Sequence, residues 1–333
     1  MHAFFDCDPT EIIALCEGKK FRYLQIIDWI CKKGVVDFRE MTNLAHDLRT
    51  RLHDHYTVIP FSVEDILTSS DTTTQKILFR THDGLPVETV SMQYEDRHTL
   101  CVSVQSGCKM ACSFCATASL GFKRSLTIAE IFGQLLYFKN VTNIVFMGMG
   151  EPFDTTETLF PVLDLINDEK YYDFGARRVT ISTIGIPTGI RALADTARQF
   201  GISWSLHAPN QELRTRLMPV AAQYPIEEII DSLLYYRKKT NADLTIEYIL
   251  IRNENMDSIH ASGLLKIARR LRAKINLIPY NPHPGASYEP PNAREIHYFA
   301  SLLAEGGGTY FIRDSKGADI QAGCGQLAGK RKE

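Results

Sequence analysis

The stretch Cys108-Lys109-Met110-Ala111-Cys112-Ser113-Phe114-Cys115 decides how the rest of the chain is read. It gathers three cysteines, the second four positions after the first and the third three positions later. The expected compartment is reducing, because the first eight residues carry Asp6 and Asp8 where a secretory signal would carry basic residues. Cysteines in such a compartment are not gathered for structural disulfides. Three thiolates on one loop hold a metal one ligand short of the closed tetrahedron of a structural zinc site. A cubane iron–sulfur cluster also takes up to four cysteines; with three, one iron stays open. The spacing therefore points to a cluster that does chemistry at its fourth iron. A zinc site completed by Cys101 is the competing reading.

The chain has 333 residues, enough for one large domain and a smaller one. Its 44% hydrophobic and 23% charged residues exclude a disordered chain. No apolar run approaches the roughly 20 residues that cross a bilayer, so a cytoplasmic protein with no membrane partner is expected. With a net charge of −2, nucleic-acid contact must come from local patches. Cys7, Cys16 and Cys31 lie in a helical region and read as small core hydrophobes. That leaves Cys101, the triad and Cys324.

Residues 9 to about 55 read as helical, with Tyr23, Ile26, Ile27 and Ile30 at helical spacing. Acids balance the basic residues there, which fits a solvated face as well as an RNA-contact face. The expected domains are a small helical unit over 1–75, a β-hairpin linker over 76–92 and a catalytic unit over 93–333. In the last, strand patterns at 99–104, 143–147, 178–182, 202–206, 244–250 and 275–279 alternate with helical patterns. Such alternation implies parallel strands and right-handed crossovers. An open doubly wound sheet and a partial βα barrel both satisfy it; the expected class is α/β, a partial (β/α)6 barrel. A further strand is expected at 309–312, and the tail Gly329-Lys-Arg-Lys-Glu333 is expected to fray. In a barrel, chemistry belongs at the C-terminal strand ends. The triad follows the first strand, Gly150 and Glu151 the second, and Ser182 ends the third. Ser205, Leu206 and His207 end the fourth, and Asn281 follows the sixth.

Glycines at 148 and 150 allow close backbone approach to a ligand, and Glu151 is a carboxylate able to receive an ammonium. Cys324, between Gly323 and Gly325, reads as an exposed, mobile thiol suited to a nucleophile or carrier. Glu88, in Val87-Glu88-Thr89-Val90, reads as a solvated strand glutamate.

The triad, with Phe114 before its third cysteine, resembles the radical S-adenosylmethionine superfamily. It is followed in order by Gly121-Phe-Lys-Arg124, Gly148-Met-Gly-Glu-Pro152, Ser182-Thr-Ile-Gly185, Ser205-Leu-His-Ala-Pro209, Asn276-Leu-Ile-Pro-Tyr-Asn281 and Ala322-Gly-Cys-Gly-Gln-Leu327. Together these are similar to the dual-specificity RNA adenine methyltransferases, the RlmN and Cfr family, and more similar to the RlmN branch. The resemblance implies a radical-SAM barrel with a 4Fe–4S cluster on Cys108, Cys112 and Cys115. It implies two S-adenosylmethionine molecules per turnover, held with the help of Gly150, Glu151, Ser182, Ser205, Leu206, His207 and Asn281. The implied product is an adenosine methylated at carbon 2, in the peptidyl-transferase region of 23S rRNA and in the anticodon loop of tRNA; the Cfr branch methylates carbon 8. By the same resemblance Cys324 is methylated first and carries carbon to the base, Glu88 accepts a proton, and Cys101 frees the product through a transient disulfide with Cys324. A reductase or flavodoxin-type electron donor and a monomeric enzyme are expected. Lys123, Arg124, Arg177, Arg178, Arg214 and Arg216 are the candidates to track phosphates. Two other classes compete: a radical activase or mutase that does not use Cys324, and a zinc-binding RNA module without catalysis.

Overall fold

The structure, a computed structural model, describes residues 1–283, 285, 287–313 and 316–329; of the tail expected to fray, Gly329 is instead bonded to Glu88 and residues 330–333 lie outside the described residues. The Asp8 side chain accepts from Thr10 N and starts helix α1 (Pro9–Leu15), with proline in its first turn. Helices α2 (Lys20–Ile27) and α3 (His46–His55) follow, and a short parallel pair, β1 (His2–Ala3) with β2 (Tyr56–Thr57), closes the unit. Phe4 packs against Tyr23, Phe38 and Tyr56 at its centre. Phe5 reaches out to Phe132 at 4.8 Å, so the apolar core continues without a break into the rest of the chain. Cys16 is buried, and Cys7 and Cys31 are half-buried. Several basic side chains here pair with acids, among them Lys33 with Asp28 and Arg39 with Asp37.

Strands β3 (Phe61–Thr68), β4 (Thr74–Thr81) and β5 (Pro86–Gln93) form an antiparallel meander. The strand at 61–68 lies within the helical unit expected over 1–75, beyond the residues read as helix. It is a sheet edge, and its Val63 and Ile66 face solvent, so it lacks the buried-face alternation that marks a strand in sequence. Strand β5 pairs with β6 (His98–Cys101), which makes the hairpin the antiparallel flank of the main sheet. A clip of β7 (Gln105–Ser106) and β8 (Arg124–Ser125) brackets the triad loop. Beyond it, β9 (Asn143–Phe146), β10 (Val179–Thr183), β11 (Gly201–Ser205), β12 (Leu244–Leu250), β13 (Lys274–Pro279) and β14 (Tyr310–Ile312) run parallel to β6.

Spatial order along this sheet equals chain order, from β3 at one edge to β14 at the other. A doubly wound sheet reverses direction at a switch point; this one never does, so the sheet is a partial barrel. Its helices are α4 (Ala116–Ser119), α5 (Ile128–Tyr137), α6 (Thr156–Asn167), α7 (Pro187–Asp195), α8 (Gln211–Leu217), α9 (Ile226–Thr240), α10 (Ser258–Leu271) and α11 (Ala293–Glu305). Ile144, Ile181, Ile202, Ile246 and Ile275 are fully or almost fully buried, one from each parallel strand from β9 to β13. Such strands, covered on one face by helices and on the other by barrel contents, carry the near-continuous apolar runs seen in the sequence. Among the described residues no helix is long and apolar enough to cross a membrane.

Candidate active site

The triad loop leaves the sheet beyond the C-terminal end of β6. At its base Gly107 has a φ of +77°, and a Cβ there would stand 1.7 Å from the Gly121 carbonyl oxygen; only glycine closes this turn. Ser113 donates twice to the Leu217 carbonyl, from N at 2.9 Å and from Oγ at 3.0 Å, which ties the loop to α8. The three triad cysteines are half-buried and line a cleft of about 910 Å³ across the strand ends. Burial holds all three thiols above their ordinary range, Cys108 at about 12. Their thiolate forms therefore call for positive charge against them. Among the described residues no three His, Cys, Asp or Glu side chains are disposed around a single ion. Three soft thiols on one loop, facing an open cleft, fit a cluster with one free iron rather than a closed zinc tetrahedron.

Beyond β9 the chain turns through two glycines. A Cβ at Gly148 would meet Ser103 Oγ at 2.5 Å, and one at Gly150 would meet Gln105 Cβ at 2.6 Å. These contacts seat Glu151, which is buried, at the cleft wall. Its Oε1 accepts from Thr183 Oγ1 at 2.6 Å and Phe153 N at 3.2 Å, and its Oε2 from Ile184 N at 2.9 Å. Burial nonetheless pushes the carboxyl up to about 7. Ser182 and Ser205 share a 3.4 Å hydroxyl contact across β10 and β11. Ile249 N donates to His207 Nδ1 at 3.1 Å, which assigns the ring proton to Nε2; burial lowers the ring's pKa to about 3, so the ring is neutral.

Two neighbours went unread in the sequence. Asn255 is fully buried and donates to the carbonyls of His207 at 2.9 Å and Ile249 at 2.6 Å, which holds His207 at its positive φ of 58°. Glu247 lines the cleft with one oxygen bonded by Asn276 Nδ2 at 3.1 Å and the other buried without a hydrogen-bond partner. The signal for Glu247 was present: an acid inside the apolar strand Leu244-Thr-Ile-Glu-Tyr-Ile-Leu250.

Cys324 is carried by a strap that crosses the triad loop. Ala116 N donates to Gly325 O at 2.7 Å, and Thr117 Oγ1 to Leu327 O at 2.7 Å. Asn281 Nδ2 donates to Cys324 O at 3.3 Å. The thiol is thus half-buried and its backbone is bonded, not exposed and mobile; small residues here serve close backbone packing. Cys324 lines the cleft and also a second chamber of about 740 Å³, shared with Cys101, Cys115 and Arg313. Cys101, at the end of β6, is buried, and its thiol is pushed up to about 12 by burial and then by Cys324. It lines the second chamber and not the cleft that holds Cys108 and Cys112, so it does not complete a zinc site with them. Tyr94, on the chamber wall, has Arg97 at 4.2 Å and Lys316 at 4.4 Å from its ring centre.

Several expected residues stand elsewhere. Leu206 is fully buried and Asn281 anchors the strap; among the described residues neither lines the cleft. Glu88 is fully buried, not solvated, because β5 is covered on both faces. Its carboxylate lies 3.1 Å from Lys76 Nζ and accepts from Gly329 N at 3.1 Å, off the wall of either chamber. Arg177 and Arg178 precede β10, at the end of the strand opposite the site. Arg214 is fully buried, Arg124 is paired with Asp83 and Glu130, and Arg216 with Glu254. Of the six candidates, Lys123 is exposed beside the triad loop.

A family model described as the radical SAM superfamily matches residues 102–262, and one described as a ribosomal RNA large subunit methyltransferase N-terminal domain matches residues 10–58. A probable dual-specificity RNA methyltransferase RlmN of Petrotoga mobilis is 41% identical over 93% of this chain and 90% of its own. The chain belongs to the RlmN family of radical S-adenosylmethionine RNA methyltransferases. The dual-specificity RNA methyltransferase RlmN of Lawsonia intracellularis is 40% identical over 95% of this chain and 92% of its own. The crystal structure of a radical SAM methyltransferase from Sphaerobacter thermophilus covers 99% of this chain and 100% of its own, with a TM-score of 0.94 and 38% identity. Streptococcus suis SuiB bound to S-adenosylmethionine shares the fold alone, at a TM-score of 0.50 and 14% identity over 65% of this chain and 51% of its own. Membership of the RlmN family excludes the activase and zinc-module readings and implies the 4Fe–4S cluster and S-adenosylmethionine.

Proposed function

We propose that this RNA methyltransferase modifies carbon 2 of an adenosine, in the peptidyl-transferase region of 23S rRNA and in the tRNA anticodon loop, with the triad as cluster ligand and Cys324 as methyl carrier. The position of Cys324 carries the reading. Its thiol lies on the wall common to both chambers, and its strap is bonded to Ala116 and Thr117, the residues directly after the triad. When bound, the cluster and two molecules of S-adenosylmethionine supply an electron, a methyl group and a 5′-deoxyadenosyl radical.

The chain's own groups do the rest. The Glu151 carboxylate takes the methionyl ammonium, and Ser182, Ser205 and the Nε2–H of His207 donate to the oxygens of the same ligand. Carbon 2 of adenine is electron-poor, so attack on a sulfonium methyl is closed to it and a carrier is required. Cys324 loses its thiol proton, takes the methyl, gives up one hydrogen atom from it and bonds through that carbon to the base. A proton then leaves the adduct together with one electron, which returns to the cluster left one electron short by formation of the 5′-deoxyadenosyl radical. Glu88 is the proposed proton acceptor, and serving as one requires release from Lys76. Cys101, having lost its thiol proton, attacks Cys324 sulfur; the electron pair of the breaking sulfur–carbon bond goes to the carbon, which takes up a proton to become the methyl of the product. The disulfide left behind takes two electrons from an external reductase or flavodoxin-type donor.

The target base must be extruded to reach Cys324. Tyr94, with its two flanking cations, offers a stacking and phosphate-binding surface at the second chamber. The reading places the enzyme in the cytoplasm as a monomer. Mass spectrometry of nucleosides from RNA treated with the cluster-loaded enzyme tests it. 2-methyladenosine is expected; 8-methyladenosine overturns the regiochemistry, and no methylated adenosine overturns the whole reading. Anaerobically purified protein is expected to be brown from thiolate–iron charge transfer, whereas colourless protein with stoichiometric zinc defeats the cluster assignment.

A further inference from the structure

Arg214, on α8, is fully buried, and among the described residues it forms no ion pair with a carboxylate. Its guanidinium donates to the carbonyls of Ile184, Tyr224 (3.4 Å) and Ser205 (3.5 Å), and lies 5.8 Å from the centre of the Trp204 ring. Among the described residues its Nε is buried without a hydrogen-bond partner. Two other interior cations, Lys76 and Arg124, sit against acids, Glu88 and Glu130. Arg214 stands one turn before Leu217 on α8. Ser113, next to Cys112, is bonded to Leu217 on the same helix. A buried charge without a counter-charge is strongly unfavourable, so this arrangement calls for an anion at the triad loop that α8 is bonded to. A cubane ligated by three thiolates is anionic, and one-electron reduction makes it more so.

We infer that Arg214 is a charge-compensating and positioning residue for the cluster. Its carbonyl contacts fix Ile184 and Ser205, both on the cleft wall. Its charge stabilises the reduced cluster and so raises the potential at which one electron enters from a flavodoxin-type donor; no proton accompanies that electron. Charges and dipoles close to a cluster set its potential in this way. The inference rests on the triad holding the cluster and goes beyond it.

Anaerobic redox titration of the cluster-loaded enzyme, followed by electron paramagnetic resonance of the reduced cluster, tests this in Arg214→Met and Arg214→Lys. Arg214→Met is expected to shift the reduction equilibrium at least tenfold toward the oxidised cluster, a fall of about 59 mV for a one-electron couple. Arg214→Lys, which keeps the charge, is expected to fall by less than half as much. An Arg214→Met midpoint that is unchanged or falls by less overturns the inference, and so do equal falls in both variants. Where Arg214→Met fails to load a cluster, Arg214→Lys decides. Loading with a near-wild-type midpoint supports the inference, and any other result overturns it, since shape rather than charge would then be the requirement. Zinc in place of iron in the unmutated protein would defeat the cluster assignment itself, a failure distinguishable from either outcome.

Discussion

Glu151 receives three hydrogen bonds yet titrates at about 7, because burial outweighs them. Its folded pKa is raised, so the group carries its proton below about 7 and is ionised above. Only the carboxylate attracts an ammonium, so affinity for S-adenosylmethionine is expected to fall about tenfold per pH unit below 7 and to level off above it. His207, at about 3, stays neutral across this range and adds no slope. Isothermal titration of the cluster-loaded enzyme between mildly acidic and mildly alkaline pH checks this; Glu151→Gln should bind weakly at every pH, and a flat wild-type profile counts against the role. At the two outlying cysteines the outcomes differ in kind. Cys324→Ala is expected to retain the cluster and lose methylation. Cys101→Ala is expected to accumulate RNA joined to protein, seen as a nuclease-sensitive band shift. The cysteines and the glycine–glutamate turn were legible in the chain because each occupies a local spacing. Asn255 was not, since its partner at His207 lies on another strand end and leaves no mark on local sequence; Glu247 showed only as an acid in an apolar strand, and its place on the cleft wall did not.

The triad loop depends on one glycine and the strap on one ion pair. Gly107→Ala must place its Cβ against the Gly121 carbonyl at an unfavourable φ, which costs on the order of 1–3 kcal/mol or more. Loss of cluster loading, read as iron per chain, is expected with little change in far-ultraviolet circular dichroism. On the strap, Lys76 donates to Gln321 O at 3.2 Å and Glu88 accepts from Gly329 N, so one buried pair holds both sides of the Cys324 segment. Lys76→Met leaves Glu88 buried and unpaired, and a loss of about 3–5 kcal/mol in urea unfolding is expected. Lys76→Met with Glu88→Leu should recover most of that stability yet leave methylation low. Recovery of full methylation by the double variant would show that neither the clasp nor a Glu88 base is needed. This clasp joins positions 76, 88, 321 and 329, and no periodicity links them. Local pattern gave only the alternation of β4 and β5, not which of their faces is covered.

At the scale of the molecule, the N-terminal helices share one core with the barrel. Tyr23 and Tyr171 exchange a 3.1 Å hydroxyl contact, Asp6 Oδ1 accepts from Ala129 N at 2.8 Å, and Phe5 meets Phe132. Calorimetry is therefore expected to show a single transition, and Phe5→Ala to lower its stability by about 3–5 kcal/mol without splitting it. Two resolved transitions would show that the N-terminal unit folds apart.

By itself the sequence determined the parallel order of strands and helices, the placement of the triad, Glu151, Ser182 and Ser205 at strand ends, and the family likeness. Each of these depends on residues close along the chain, where spacing and apolar period dictate geometry directly. Tertiary structure decided that the sheet winds one way and stays open. It also brought Cys101 and Cys324 to one chamber, enclosed Arg214 on the helix bonded to the triad loop and locked Glu88 against Lys76. These are contacts between segments far apart in sequence, set by which faces the packed strands bury, and burial is a property of the assembled sheet rather than of any stretch within it.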